Sequence, residues 1–145
     1  MQIDLPVEDR RADMFALKDA LLSYNSPAHF PVTQHFAPGL YGREILLPAG
    51  TLAIGKIHKT GHISVISKGH GVFHTENGSV PFAAPHTFVS PPGVMRAVEA
   101  ITDVVWTTIH ATDAVGTPDE MKAILTVERF EDLPTVGHNR TEVSQ

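Results

Sequence analysis

Cysteine is absent from this chain of 145 residues. Its absence excludes disulfides, thiolate nucleophiles, iron–sulfur clusters and thiolate zinc sites, and leaves either redox compartment open. Aromatics are scarce, at 7%. Lysine and arginine total 11 against 16 acids, for a formal net charge of -5. No basic stripe is available to neutralise phosphates, so nucleic acid is not an expected partner. No apolar run approaches the roughly 18 residues needed to cross a bilayer, so a membrane is not expected either. Behind Met1 the chain runs into Glu8, Asp9, Arg10 and Arg11 without an apolar stretch. A targeting segment is therefore not expected, and the cytoplasm is the expected location.

What is present is ordinary globular material, 42% apolar and 19% charged, with the length of one domain. Histidine stands out. Nine histidines in so weakly aromatic a chain direct attention to metal or proton chemistry.

Three regions follow from local signals. Residues 1–39 read as an N-terminal helical extension: Pro6 suits a first turn, and Met14, Leu17, Leu21 and Leu22 recur at helical spacing. Residues 40–112 change to short β-rich runs, expected at 44–47, 51–58, 62–67, 72–75, 80–83, 87–89, 94–100 and 104–110. So many short strands indicate an all-β sandwich or small barrel. Asn77-Gly78 is expected to form a type I′ hairpin turn, and Pro91-Pro92 to lie in a loop. Residues 113–145 return to helix and a polar tail. Thr117-Pro118-Asp119-Glu120 combines an N-cap, a first-turn proline and a capping-box acid, ahead of an apolar stripe of Met121, Ile124 and Leu125.

The sharpest motif is Lys56-Ile57-His58-Lys59-Thr60-Gly61-His62. Two histidines four apart share a helical face in zinc proteases, but that motif needs Glu directly after the first His, and Lys59 stands there. Gly61 and the β-branched neighbours Ile54, Ile57, Ile63 and Val65 indicate strand, turn, strand instead. His58 then ends one strand and His62 begins the next.

Leu47-Pro48-Ala49-Gly50, this histidine turn and Gly69 are followed by Pro91-Pro92-Gly93-Val94-Met95-Arg96. Together they resemble the paired motifs of the cupin superfamily (RmlC-like proteins). The resemblance implies an all-β fold, a small double-stranded β-barrel or jelly roll, commonly built around one divalent metal, here with short helices at both ends. It extends over residues 40–112. Within it the chain is most similar to short cupins encoded by bacteriophages and prophages, through Lys56-Ile57-His58, His62, the Pro-rich turn before Arg96, and Trp106, Thr108 and His110. For a phage protein the expected location becomes the host cytoplasm. Counting back from Gly69 sets His62 in the register of the usual Glu ligand, His58 in that of the second His and Lys56 in that of the first. Arg96 stands where the second motif carries His. A guanidinium cannot ligate a cation, so the family's intact four-ligand site is excluded.

A substitute follows from barrel topology. The last strand should run antiparallel beside the strand that begins at His62, bringing His110 to the same mouth. Val104, Trp106, Thr108 and His110 share one face by strand parity. With that face inward, His58, His62 and His110 make a three-His site with open positions. Imidazoles suit Zn, Fe, Ni or Cu. Proton competition is expected to empty such a site below about pH 6. The plainer alternative is that His58 and His62 are turn histidines and His110 merely ends a strand, with His74 next in order as a ligand. His70 and His86 lie around later turns, and His29, His35 and His138 lie outside the barrel. Lys56 and Arg96 either pair with Glu44 or Glu99, or bind an anionic small molecule, for which Arg offers a bidentate fork. Trp106 is either core packing or a ligand platform.

Three functional readings follow. The first is a small metalloenzyme of dioxygenase, lyase or isomerase type, with Glu99 or Glu44 as base. The second is a non-catalytic cupin: a ligand binder or a phage accessory or virion scaffold without metal. The third is a metal-free sugar-nucleotide epimerase-like barrel, which requires a His–Asp pair and a tyrosine. Tyr24 and Tyr41 both precede the expected core and count against it. A homodimer is expected, because a barrel of this length leaves sheet edges that pairing covers.

Overall fold

A computed structural model describes residues 30–134. The expected helix near residues 6–24 and the polar tail beyond residue 134 lie outside the described residues. Eleven strands run in the order β1 (Val32–Ala37), β2 (Leu40–Leu47), β3 (Leu52–Ile54), β4 (Ile57–His58), β5 (His62–Lys68), β6 (His70–Thr75), β7 (Gly78–Ala83), β8 (His86–Ser90), β9 (Ala97–Ala100), β10 (Val104–Ala111) and β11 (Thr126–Val127). One α-helix, α1 (Pro118–Leu125), and a 3-10 turn at Phe130–Asp132 complete the described residues. No described helix is long and apolar enough to cross a membrane.

Five strands form one antiparallel sheet in the order β1-β2-β10-β5-β8, and four form another in the order β3-β9-β6-β7. Their inner faces meet on Leu47, Ile66, Phe73, Phe82, Val98, Ala100 and Val104. β4 and β11 make a separate two-stranded ribbon. This is an all-β jelly-roll barrel: the strand spacing indicated a sandwich or small barrel, and the family resemblance implied the jelly roll.

Several boundaries differ from the local signals. The sheet begins at Val32 rather than at residue 40, because Pro38-Gly39 turns β1 back onto β2 with Ala37 opposite Leu40. Proline presets the first turn dihedral and glycine takes the second, at φ 74. Residues 51–58 do not form one strand. Gly55 N–H donates to the Arg96 carbonyl at 3.0 Å, and there the chain leaves the four-stranded sheet for the ribbon with β11. Asn77-Gly78 is not a type I′ turn, which needs positive φ at both central residues. Gly78 alone takes positive φ, and Thr75 pairs directly with Gly78 across a Glu76-Asn77 loop. Gly69, which ends the first motif, has φ 92, and a Cβ there would lie 2.0 Å from the Asp103 carbonyl oxygen.

The C-terminal capping box forms as its residues require. Thr117 Oγ1 accepts from Glu120 N–H, and Glu120 Oε1 accepts from Thr117 N–H at 2.8 Å. α1 then buries Met121 and Leu125 against Tyr41, and so covers one side of the barrel. Thr117→Ala is expected to cost about 1 kcal/mol, read as a lower urea midpoint, with the barrel intact.

Candidate metal centre

The antiparallel pairing of β10 with β5 sets Ile109 opposite Ile63, so the next inward residue of β10, His110, meets the start of β5 at His62. His58 arrives from the ribbon, where it pairs with Thr126 and its carbonyl accepts from Gly93 N–H. The three rings converge. Centroids are 4.3 Å apart for His58–His62, 4.7 Å for His62–His110 and 5.3 Å for His58–His110, the last pair stacked at 14°. One ligand nitrogen from each lies within 4.8 Å of the other two. Tetrahedral ligands at about 2.0–2.1 Å from an ion sit about 3.4 Å from each other, so the three nitrogens would draw together slightly to close on one ion.

The hydrogen bonding suits a cation. His110 Nε2 lies 2.9 Å from Thr108 Oγ1, whereas its Nδ1 is buried with no hydrogen-bond partner. With the ring proton donated to Thr108, the Nδ1 lone pair is left free for a ligand, an arrangement typical of metal-binding histidines. Protonation works against none of this. Burial pushes His58 down to about 3, helped by repulsion from His62, His110, Arg43 and Arg96. Burial likewise takes His110 down to about 4, with His62 and Arg43 adding to it. His62 is lowered by burial and by Arg96, while a long contact to the Thr60 carbonyl opposes the shift. All three imidazoles are neutral at physiological pH, the form that binds metal.

The triad opens into a cavity of about 590 Å3 between the sheets. Arg96, Lys56 and Trp106 all line it, together with Tyr41, Arg43, Thr108 and Lys122. Arg96 is firmly held. Its guanidinium carbon lies 5.2 Å from the Phe88 ring centre and 5.5 Å from that of Phe73, and Nη1 donates to Ser90 Oγ at 3.1 Å. Lys56 pairs with Glu128, not with Glu44 or Glu99. Trp106 packs 5.4 Å from Phe73 and also lines the cavity.

Glu44 and Glu99, the candidate bases, point elsewhere. Glu44 contacts His35 Nε2 at 2.9 Å and Glu99 contacts His74 Nε2 at 3.2 Å, both outside the cavity. Strand parity explains it: Arg43 and Ile45 of β2 face inward, so the intervening Glu44 faces out. His74 is thereby also removed as a reserve ligand, with Nδ1 bound to Ser79 Oγ at 2.7 Å.

Tyr41 is corrected in the opposite direction. It lies within the barrel, fully buried, 6.1 Å from the His110 ring, and its hydroxyl accepts from Gln34. The only described carboxylate lining the cavity is Glu128, so no His–Asp pair faces this tyrosine. Arg43 was missed outright. The available signal was a cation interrupting the inward series Tyr41, Arg43, Ile45 and Leu47.

No protein-family model and no curated protein matches the chain. Solved structures do. A cupin superfamily protein of Desulfitobacterium hafniense aligns over 65% of this chain and 87% of its own, with TM-score 0.52 and 10% identity. The fold is a cupin fold. A second match, a Neisseria meningitidis protein, covers 66% of this chain and 96% of its own, with TM-score 0.50 and 13% identity. Salicylate 1,2-dioxygenase of Pseudoaminobacter salicylatoxidans, solved with gentisate, aligns over 81% of this chain but 33% of its own, with TM-score 0.51 and 14% identity. Within the cupin frame this chain keeps three imidazoles at the mouth and sets Arg96 on the wall beside them. The triad can hold a metal ion.

Proposed function

We propose that this protein is a small metal-binding cupin of the short phage type, holding Zn, Fe, Ni or Cu at His58, His62 and His110 and taking a small anionic ligand beside it. The observation that carries this reading is the charge of one cavity. Four cationic side chains, Arg43, Lys56, Arg96 and Lys122, face three neutral imidazoles, against one carboxylate, Glu128. A metal ion held by His58, His62 and His110 would supply Lewis-acid polarisation or activation of water. The chain's own residues do the rest. Thr108 orients His110, Arg96 sets a fixed positive charge beside the triad, and the apolar inner wall excludes water.

A second reading, a ligand-binding barrel without metal, is favoured by Arg96, which already has aromatic faces and Ser90 as partners and needs no ion. Elemental analysis of untagged protein separates the two. Near-stoichiometric transition metal is the expected result; absence of metal after growth and dialysis with each candidate ion refutes the metal reading.

The same proposal includes a homodimer. β1 and β8 are the edges of the five-stranded sheet, and Ile63 and Val89, paired with each other, present exposed apolar side chains on its outer face. Edge strands of this kind are commonly covered by pairing. Light scattering is expected to give twice the chain mass at micromolar concentration, and a monomer mass refutes the dimer.

A further inference from the structure

Of the cavity's two arginines, Arg43 is the one left without a partner among the described residues. Lys56 has Glu128, and Arg96 has Ser90 and two aromatic faces. Arg43 forms no ion pair among the described residues, and its Nε is buried without a hydrogen-bond acceptor. A half-buried guanidinium whose Nε is sealed from water and unpaired is costly, and an anion in the cavity would satisfy it. Its place is well defined. Arg43 sits opposite Thr108 in the β2–β10 register, one inward position from the Tyr41–His110 pair, and so on the same wall as the triad. Beyond it the cavity turns apolar, along Phe30, Ile45, Leu47, Val98 and Trp106. Trp106 Nε1 is a second buried donor without a partner.

We propose that Arg43 is the ligand anchor of this cavity, binding through its fork the carboxylate of a small amphipathic acid whose aromatic or aliphatic body lies against Trp106 and the apolar wall. The claim rests on the anionic-ligand reading above and narrows it to one chemical class and one residue. A fully polar dianion such as phosphate would leave the apolar wall uncovered, and a neutral molecule would leave the guanidinium unpaired. Arg96, locked between Phe73 and Phe88, contributes field rather than the primary contact.

Trp106 is the only tryptophan in the chain, so its emission reports on this cavity directly. The test titrates metal-free protein, prepared by chelation, with benzoate, hexanoate, inorganic phosphate and the neutral isostere benzamide. Benzoate and hexanoate are expected to change the emission saturably, phosphate and benzamide not. Arg43→Gln is expected to weaken benzoate roughly 10- to 100-fold, the usual loss for a charge-assisted contact. Arg43→Lys, which keeps charge and loses the fork, should fall between. Benzoate binding unchanged in Arg43→Gln, an equal response to benzamide, or no saturable response to either acid overturns the proposal. Should Arg43→Gln fail to fold by circular dichroism, Arg43→Lys decides, and parental affinity there refutes the fork. Because the protein is metal-free, failure here leaves the metal reading standing. Conversely, Arg43-dependent binding in a protein that never takes up metal would refute the metal reading alone.

Discussion

Replacing any one of His58, His62 or His110 by alanine is expected to lower metal affinity more than about 100-fold, since loss of a mere outer-shell partner already costs about 10–100-fold. The chain has no thiolate to substitute. Nor is a carboxylate at hand: Glu128, the one described carboxylate on the cavity, is tied to Lys56. A remaining pair of imidazoles would then have to hold the ion against buffer, which two neutral ligands do poorly. His74→Ala is the matched control, because His74 binds Ser79 and Glu99 on the outer face and should leave metal content untouched. Metal content after dialysis, measured on each variant, checks the set. Retention in His110→Ala with loss in the other two would remove His110 from the site. Retention in all three variants refutes the centre. Thr108→Val should give a smaller loss, since it frees the His110 ring without removing the ligand.

The metal-free protein is expected to lose stability steeply on acidification between about pH 6.5 and pH 4. In the unfolded chain a histidine titrates near 6.5. In the folded protein His58 resists protonation down to about 3 and His110 down to about 4. Above pH 6.5 the rings are neutral in both states and titration contributes nothing. Below it the unfolded chain takes up protons that the folded chain cannot, so folding weakens by up to about 1.4 kcal/mol per pH step for each such ring. The loss saturates once the folded rings also protonate. Urea midpoints across this range should fall for the parent protein and fall less for His58→Leu, which removes the ring held furthest below its ordinary value. A flat profile in the parent refutes the buried neutral triad.

The same shifts move the expected acid limit of metal occupancy. Ordinary histidines would release the ion below about pH 6, whereas a cluster held neutral by burial meets proton competition only at lower pH. Occupancy is therefore expected to persist through pH 5, and the Lys56–Glu128 pair at the rim has no part in it.

Period and punctuation in the sequence determined the fold class, the C-terminal helix and its capping box. These depend on neighbours a few residues apart: β-branched runs between Gly and Pro for the strands, and Thr117 with Glu120 for the cap. The pairing of His110 with His62 was also legible, because strand parity and an antiparallel last strand together dictate it. Tertiary structure alone decided the rest. Val32–Ala37 falls by local signals within the N-terminal extension, and it becomes an edge strand because β2 is there to receive it. Residues 51–58 read locally as one β-rich run, and the break at Gly55 appears because its two ends pair with different strands, β9 and β11. Glu44 and Arg43 are adjacent in sequence, yet only barrel closure sets one on the outer face beside His35 and the other on the cavity wall. Lys56 meets Glu128, Arg96 meets Phe73 and His74 meets Glu99 across separations of tens of residues, and such contacts follow from which strands close the barrel, not from any local signal.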